Sequence, residues 1–192
     1  MPAQRLLFAV SGASGMPLAA YVLENLRTLA ELEIHLLISN MARTVLASEG
    51  VSNLENLAHV LHAADDLAAA PASGSWQSLG MIVCPCSMAS LAAIATGLGH
   101  NLNHRAADCM HKERRPLVLV PRETPLNRVH LTNMLAAHDA GAILMPFMPA
   151  FYTGSSDLKL LAREFTGRLL DQFGVQHSLC TRWQGKHPVN SL

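Results

Sequence analysis

The sequence predicts an α/β fold built on a mainly parallel sheet. Three observations predict it. Short, wholly apolar runs such as LLFAV, GMIVCPC and LVLV suit strands buried on both faces. Stretches of helical length and pattern follow each of them. Glycine and proline mark the joints between the two kinds of segment.

The elements follow in order. Leu6 to Val10 is the first strand, and Ser11-Gly12-Ala13-Ser14-Gly15 the turn after it. A helix is expected from Met16 to Leu32, with Pro17 in its first turn, where a missing N–H costs nothing. Leu18, Val22, Leu26 and Leu29 form its apolar stripe. Glu33 to Ser39 reads as a second strand and Asn40 to Glu49 as a helix stopped by Gly50. Residues 51 to 70 read as helical, then irregular, before the loop Pro71 to Ser75. Gly80 to Cys86 is the third strand, Ser87 to Thr96 a helix closed by Gly97, and Asn103 to Glu113 another helix. Leu117 to Val120 is the fourth strand. Asn127 to Ala140 is a helix with Leu131, Met134, Leu135 and His138 on one face. Ala142 to Met145 is the fifth strand, and Asp157 to Phe173 the last helix. Residues 1–192 read as one domain, with residues 175–192 as a polar tail along the surface or onto another subunit.

Composition narrows the function. Of 192 residues 50% are hydrophobic and 15% charged, which excludes disorder. Lys+Arg and Asp+Glu are equal at 14 each, so no bulk charge recruits nucleic acid or an anionic membrane. No apolar run reaches the roughly 18 residues of a membrane helix, and the N-terminus does not read as a signal peptide. Cys84, Cys86, Cys109 and Cys180 form no disulfide framework, so a cytoplasmic setting is expected. Cys84-Pro85-Cys86 without a second pair reads as small buried residues rather than a metal site; no metal is expected.

In an open α/β sheet, ligands bind beyond the carboxyl ends of the strands. Polar or small residues cluster at those ends: Ser11 to Gly15, Ser39, Ser87, and Arg122-Glu123 between Pro121 and Pro125. The SGASG turn is either a phosphate-binding loop or simply a tight turn, being neither GxGxxG nor GxxxxGK[ST]. Ser87 is either a ligand contact or a plain N-cap. Arg122 and Glu123 could be a structural ion pair. Lys112 in HKERR could be part of a solvated charge run, Arg168 a surface arginine, Tyr152 a core residue and Trp183 an anchor for the tail. The residues alone support an α/β protein that binds a phosphorylated ligand.

Taken together the segments resemble the UbiX family of flavin prenyltransferases over nearly the whole chain. The resemblance rests on VSGASG at Val10 to Gly15, LLIS at Leu36 to Ser39, Glu49, PASGS at Pro71 to Ser75 and CPCSMASLAAIATG at Cys84 to Gly97. It continues in RAAD at Arg105 to Asp108, KERRPLVLVPRETPL at Lys112 to Leu126, HLTNML at His130 to Leu135, PAFY at Pro149 to Tyr152 and DQFG at Asp171 to Gly174.

The resemblance implies a flavodoxin-like (Rossmann-like) three-layer sandwich assembled into a dodecamer, with FMN between subunits. It implies dimethylallyl monophosphate as prenyl donor, and prenylated FMN as a product used by UbiD-type decarboxylases. Gly12, Ala13, Ser14, Ser39, Ser87, Met88, Ala89, Ser90 and Arg122 match FMN-contacting positions. Lys112, Arg122, Glu123, Tyr152 and Arg168 match the pocket for the donor phosphate. Ser14 and Glu49 match groups that orient or deprotonate the flavin edge, and Trp183 an aromatic group near the prenyl chain. The flavin phosphate is expected near the Ser11–Gly15 turn or the Ser87 helix start. Two other readings share these features: an FMN-dependent cysteine decarboxylase and a non-catalytic FMN-binding protein. Against the first, this chain has PASGS where those enzymes carry PASANT, and MPFMPAFY in place of a PxMN-type clamp. Against the second, Glu123 and Tyr152 are both present.

Overall fold

The computed structural model describes residues 3–150 and 155–183. The elements run β1 (Gln4–Val10), α1 (Met16–Arg27), β2 (Leu32–Ile38), α2 (Asn40–Ser48), β3 (Val60–His62), β4 (Gly80–Cys86), α3 (Met88–Ala95), α4 (Leu102–Lys112), β5 (Leu117–Pro121), α5 (Arg128–Asp139), β6 (Ile143–Leu144) and α6 (Leu158–Asp171). All strand pairs are parallel, and the order is β3-β2-β1-β4-β5-β6. Without the three-residue edge strand β3, the five longer-range neighbours follow the flavodoxin order.

Period-two alternation divides the core between two faces. Leu6, Phe8 and Val10 of β1 pack with α1, α2 and α6, whereas Leu7 and Ala9 pack with α3, α4 and α5. The sheet is thus the middle of three layers. An irregularity in β4 between Val83 and Cys86 breaks this alternation and separates its two cysteines. Cys84 packs in the first layer and Cys86 in the second. Burial raises both thiols, Cys86 to about 12.

Several expectations need correction. Residues 51–70 are not a helix: they hold a short three-ten turn at Leu54–Leu57 and then strand β3. The edge strand is too short, and too polar around it, to show a period. The expected stripe on α5 does not reach the core. Leu131 and Leu135 are exposed, and Ala137 is the only buried residue of that helix. The first helix stops at Arg27, five residues before the expected end, because Leu32 already starts β2. Residues 175–183 lie along α6. There Arg163 donates to the Ser178 carbonyl, Thr181 bonds Glu164, and Arg182 grips Asp171 at 2.6 and 2.7 Å. No helix among the described residues is long and apolar enough to cross a membrane.

Candidate active site

The chain order reverses between β1 and β4, which opens a crevice beyond their carboxyl ends. Ser11 ties the two ends together. Its buried hydroxyl donates to the Pro85 carbonyl at 2.9 Å and accepts from the Ser87 N–H at 2.7 Å. The crevice is therefore held by a side chain from the SGASG turn itself. Gly12 follows, and a Cβ there would meet the Met41 Cβ at 2.6 Å, so the close approach of β1's end to α2 requires glycine. Gly15 has φ 117°, which again favours glycine.

On one side of this turn lies a cleft of about 950 Å³, lined by Gly12, Ser39, Met41, Asp65, Ser87, Ser90, His100 and His104, among others. That falls within roughly the size range of small-molecule and cofactor sites. Two helix N-termini reach it. Ser39 caps α2 by accepting from Ala42 N–H, and Ser87 caps α3 by accepting from Ser90 N–H, each at 3.2 Å. The N-cap reading of Ser87 is thus realised. It does not compete with ligand binding, because the hydroxyl proton can still be donated.

On the other side is a pocket of about 530 Å³, lined by Ser14, Glu49, Arg122, Glu123, Phe147 and Met148 with neighbouring residues. Glu49 arrives from the end of α2. Its carboxylate accepts from Gly15 N–H at 3.1 Å and Met16 N–H at 2.7 Å. It thus fills the positive end of α1. Burial pushes its pKa up, but the Ser14 hydroxyl, those two backbone N–H groups and the Arg122 charge outweigh it, leaving the pKa below the ordinary value. A carboxylate so held is a poor base. The two anion sites expected from sequence are therefore unequal: α1's terminus is taken by Glu49, whereas α3's terminus opens on the cleft.

Arg122 and Glu123 form no ion pair among the described residues. Glu123 instead accepts from the Thr124 N–H at 2.9 Å, and both side chains are exposed at the pocket. Arg168 sits 3.4 Å from Asp171 and lines a smaller cavity of about 190 Å³. That cavity shares Pro146, Phe147 and Met148 with the Arg122 pocket.

Lys112 is not brought to these pockets within one chain. It ends α4, whose first turn forms the cleft wall; ten residues of helix carry Lys112 ~15 Å away. There it pairs with Glu113 at 2.5 Å. Trp183 is 67% exposed and lines none of the three cavities. Tyr152 lies outside the described residues. Conversely, the cleft is lined by Asp65, His100 and His104, which the sequence reading did not single out; isolated histidines carry no spacing signal.

The profile of the family described as Flavoprotein matches residues 1–158. A flavin prenyltransferase UbiX from Deinococcus radiodurans is 48% identical over 183 residues, covering 94% of this chain and 93% of that protein. The chain belongs to the UbiX family of flavin prenyltransferases. It is accordingly a transferase enzyme, and the flavodoxin-like three-layer fold is that of its solved relatives. One is AnUbiX (PadA1) in complex with FMN and dimethylallyl pyrophosphate: TM-score 0.91, 43% identity, 96% of this chain and 100% of that one. Another is a dodecameric FMN-dependent UbiX-like decarboxylase from Escherichia coli O157:H7: TM-score 0.89, 42% identity, 95% and 100% coverage. The family shows that a flavin site belongs to this fold. The glycine at the crevice, the two capping serines and the paired helix N-termini suit a phosphorylated flavin.

Proposed function

We propose that this enzyme transfers a dimethylallyl group from dimethylallyl monophosphate to reduced FMN, making prenylated FMN for a UbiD-type decarboxylase. The observation that carries the reading is the junction at Gly12 to Gly15. There a flavin-sized cleft with two helix N-termini meets a pocket holding Ser14, Glu49, Arg122 and Glu123. The reduced flavin supplies nucleophilic N5, with C6 for ring closure.

The chain's part is charge and position. A monophosphate leaves poorly, and Arg122 with Arg168 gives cationic donors from either side of the Pro146–Met148 wall. Glu123, with Tyr152, is the proton-handling group for the departing phosphate. Gly12, Ala13, Ser14, Ser39, Ser87, Met88, Ala89 and Ser90 hold the flavin. Glu49, kept anionic, fixes α1 and balances Arg122 rather than serving as a base. Lys112 serves the same phosphate from a neighbouring copy, since its own helix carries it away. Trp183 reaches a neighbour's prenyl pocket on the tail by the same route. This reading makes the functional unit an oligomer, and the dodecameric relative supports that assembly.

The test is to incubate the protein anaerobically with reduced FMN and dimethylallyl monophosphate, then weigh the flavin. A flavin heavier by one isoprenyl unit is expected. Unchanged FMN with either the monophosphate or the diphosphate overturns the reading.

A further inference from the structure

His104 has an environment that neither packing nor helix capping accounts for. It lies in the first turn of α4, and that turn is fixed from three directions. Asn101 caps it by accepting from His104 N–H at 3.0 Å, Leu102 N–H donates to the Ala64 carbonyl at 2.8 Å, and Asn103 Nδ2 donates to the Val10 carbonyl at 3.3 Å. The last bond pins α4 to the carboxyl end of β1. The His104 ring is therefore held in place against α3, where its Nε2 lies 3.4 Å from Ser90 Oγ. Both residues line the large cleft.

The ring's other nitrogen decides the tautomer. His104 Nδ1 is buried and has no hydrogen-bond partner among the described residues. A proton on Nδ1 would be an orphaned buried donor, the costlier kind of unpaired group, whereas a bare lone pair there costs less. The neutral ring therefore carries its proton on Nε2 and donates it to Ser90 Oγ. Burial, together with the nearby His100, lowers the His104 pKa, which agrees with a neutral ring.

The consequence falls on Ser90. Its backbone N–H is used by the Ser87 cap, and its Oγ accepts from His104. Its own hydroxyl proton has no acceptor among the described residues, and it sits in the first turn of α3, where an anion is favoured. We infer that His104 is a positioning residue for the flavin phosphate: by donating from Nε2 to Ser90 Oγ, it commits the Ser90 hydroxyl proton to an anionic oxygen of the bound ligand. Were the tautomer reversed, Ser90 would spend its proton on the ring and offer the ligand only lone pairs. This inference rests on the FMN reading above and goes beyond it by assigning a residue outside the resemblance.

The test is the dissociation constant of FMN and of riboflavin, read by quenching of flavin fluorescence. His104→Leu should weaken FMN by roughly 5- to 30-fold, the loss of one oriented hydrogen bond to a charged group. Riboflavin, which lacks the phosphate, should change by less than about 2-fold. His104→Gln, which keeps an N–H donor, should recover most of the FMN affinity. In a Ser90→Ala background, His104→Leu should add less than about 2-fold, because the hydroxyl it orients is gone. Equal losses for both flavins, or an unchanged FMN constant in His104→Leu, overturns the inference while leaving FMN binding by the parent intact. A parent protein that binds no FMN overturns the proposed function and this inference with it.

Discussion

Glu49 holds a charge where the backbone asks for one. Its carboxylate completes the N–H groups of Gly15 and Met16, so its pKa is lower folded than unfolded. The sign follows from that. The stabilisation is present above the ordinary carboxylate value of 4.5 and is lost as pH falls through the lower folded value. Glu49→Gln should therefore cost about 1 kcal/mol near neutral pH, read from the urea midpoint. The gap between variant and parent should close in acid; a gap that stays constant below the folded value removes Glu49 from this role. Arg168→Ala is a separate matter, since the side chain is exposed and its partner Asp171 keeps Arg182. The variant should still bind FMN yet lose roughly 30- to 1000-fold in prenylation, the usual cost of one charge contact in a transition state. Parent-rate prenylation by Arg168→Ala ends the donor-phosphate assignment at that position. At this scale the sequence was partly legible. Ser87 could be read as a cap because the next residues start a helix. The Glu49 contact could not, because it joins residues more than thirty positions apart.

Elements differ in how far pattern alone reaches them. β4 matches its expected span Gly80–Cys86, because seven residues buried on both faces leave an unbroken apolar run. β3 was invisible: three residues of an edge strand, one of them exposed, contain no period. What holds β3 is side-chain chemistry. His35 of β2 and His62 of β3 stack and share a hydrogen bond of 2.9 Å, with Trp76 edge-on to His35 and Glu33 at 3.1 Å. Two rings joined by one hydrogen bond need one lone pair between them, so they cannot both be charged and keep it. Burial lowers both pKa values; Glu33 opposes this at His35 and Asp66 at His62, while Arg5 and His62 reinforce it at His35. A folded pKa below the unfolded 6.5 means that the unfolded chain binds more protons below that pH. Stability should therefore fall as pH drops from 6.5, until the folded values are passed. Each histidine can contribute at most about 1.4 kcal/mol per pH unit. The measurement is the urea midpoint and amide exchange of Val60–His62 at about pH 7.5 and about pH 5.5. His62→Gln should flatten the profile; a parent profile already flat over that range contradicts the argument. The loop after β3 supplies the Ala64 carbonyl that anchors α4, so acid loosening should also reach the cleft beside α4.

For the whole molecule, one chain leaves two things unfinished. Val129, Leu131 and Leu135 project from α5 with 65, 53 and 61% of their surface exposed, although Leu131 and Leu135 belong to the apolar stripe expected from the sequence. The pattern was read correctly as apolar, but nothing among the described residues covers these side chains. Lys112, in turn, belongs by resemblance to a phosphate pocket that its own helix carries it away from. Both are resolved if copies pack so that one lends Lys112 to the pocket holding another's Arg122 and Glu123. A mixing experiment tests that directly. Lys112→Ala and Arg122→Ala should each lose prenylation while retaining the oligomeric mass by light scattering. Dissociated and reassembled together at equal amounts, the two variants should regain activity. A site needs Arg122 from one copy and Lys112 from another, so random mixing restores both in about one quarter of sites, and about one quarter of parent activity should return. If both groups acted from the same copy, every site in the mixture would still lack one of them and no activity would return. Leu135→Glu supplies the control, since a charge buried against an apolar neighbour is costly. It should lower the assembled mass and abolish prenylation even with every phosphate-binding residue in place. A Leu135→Glu protein that assembles and works like the parent would show that α5 is not the face on which the copies meet.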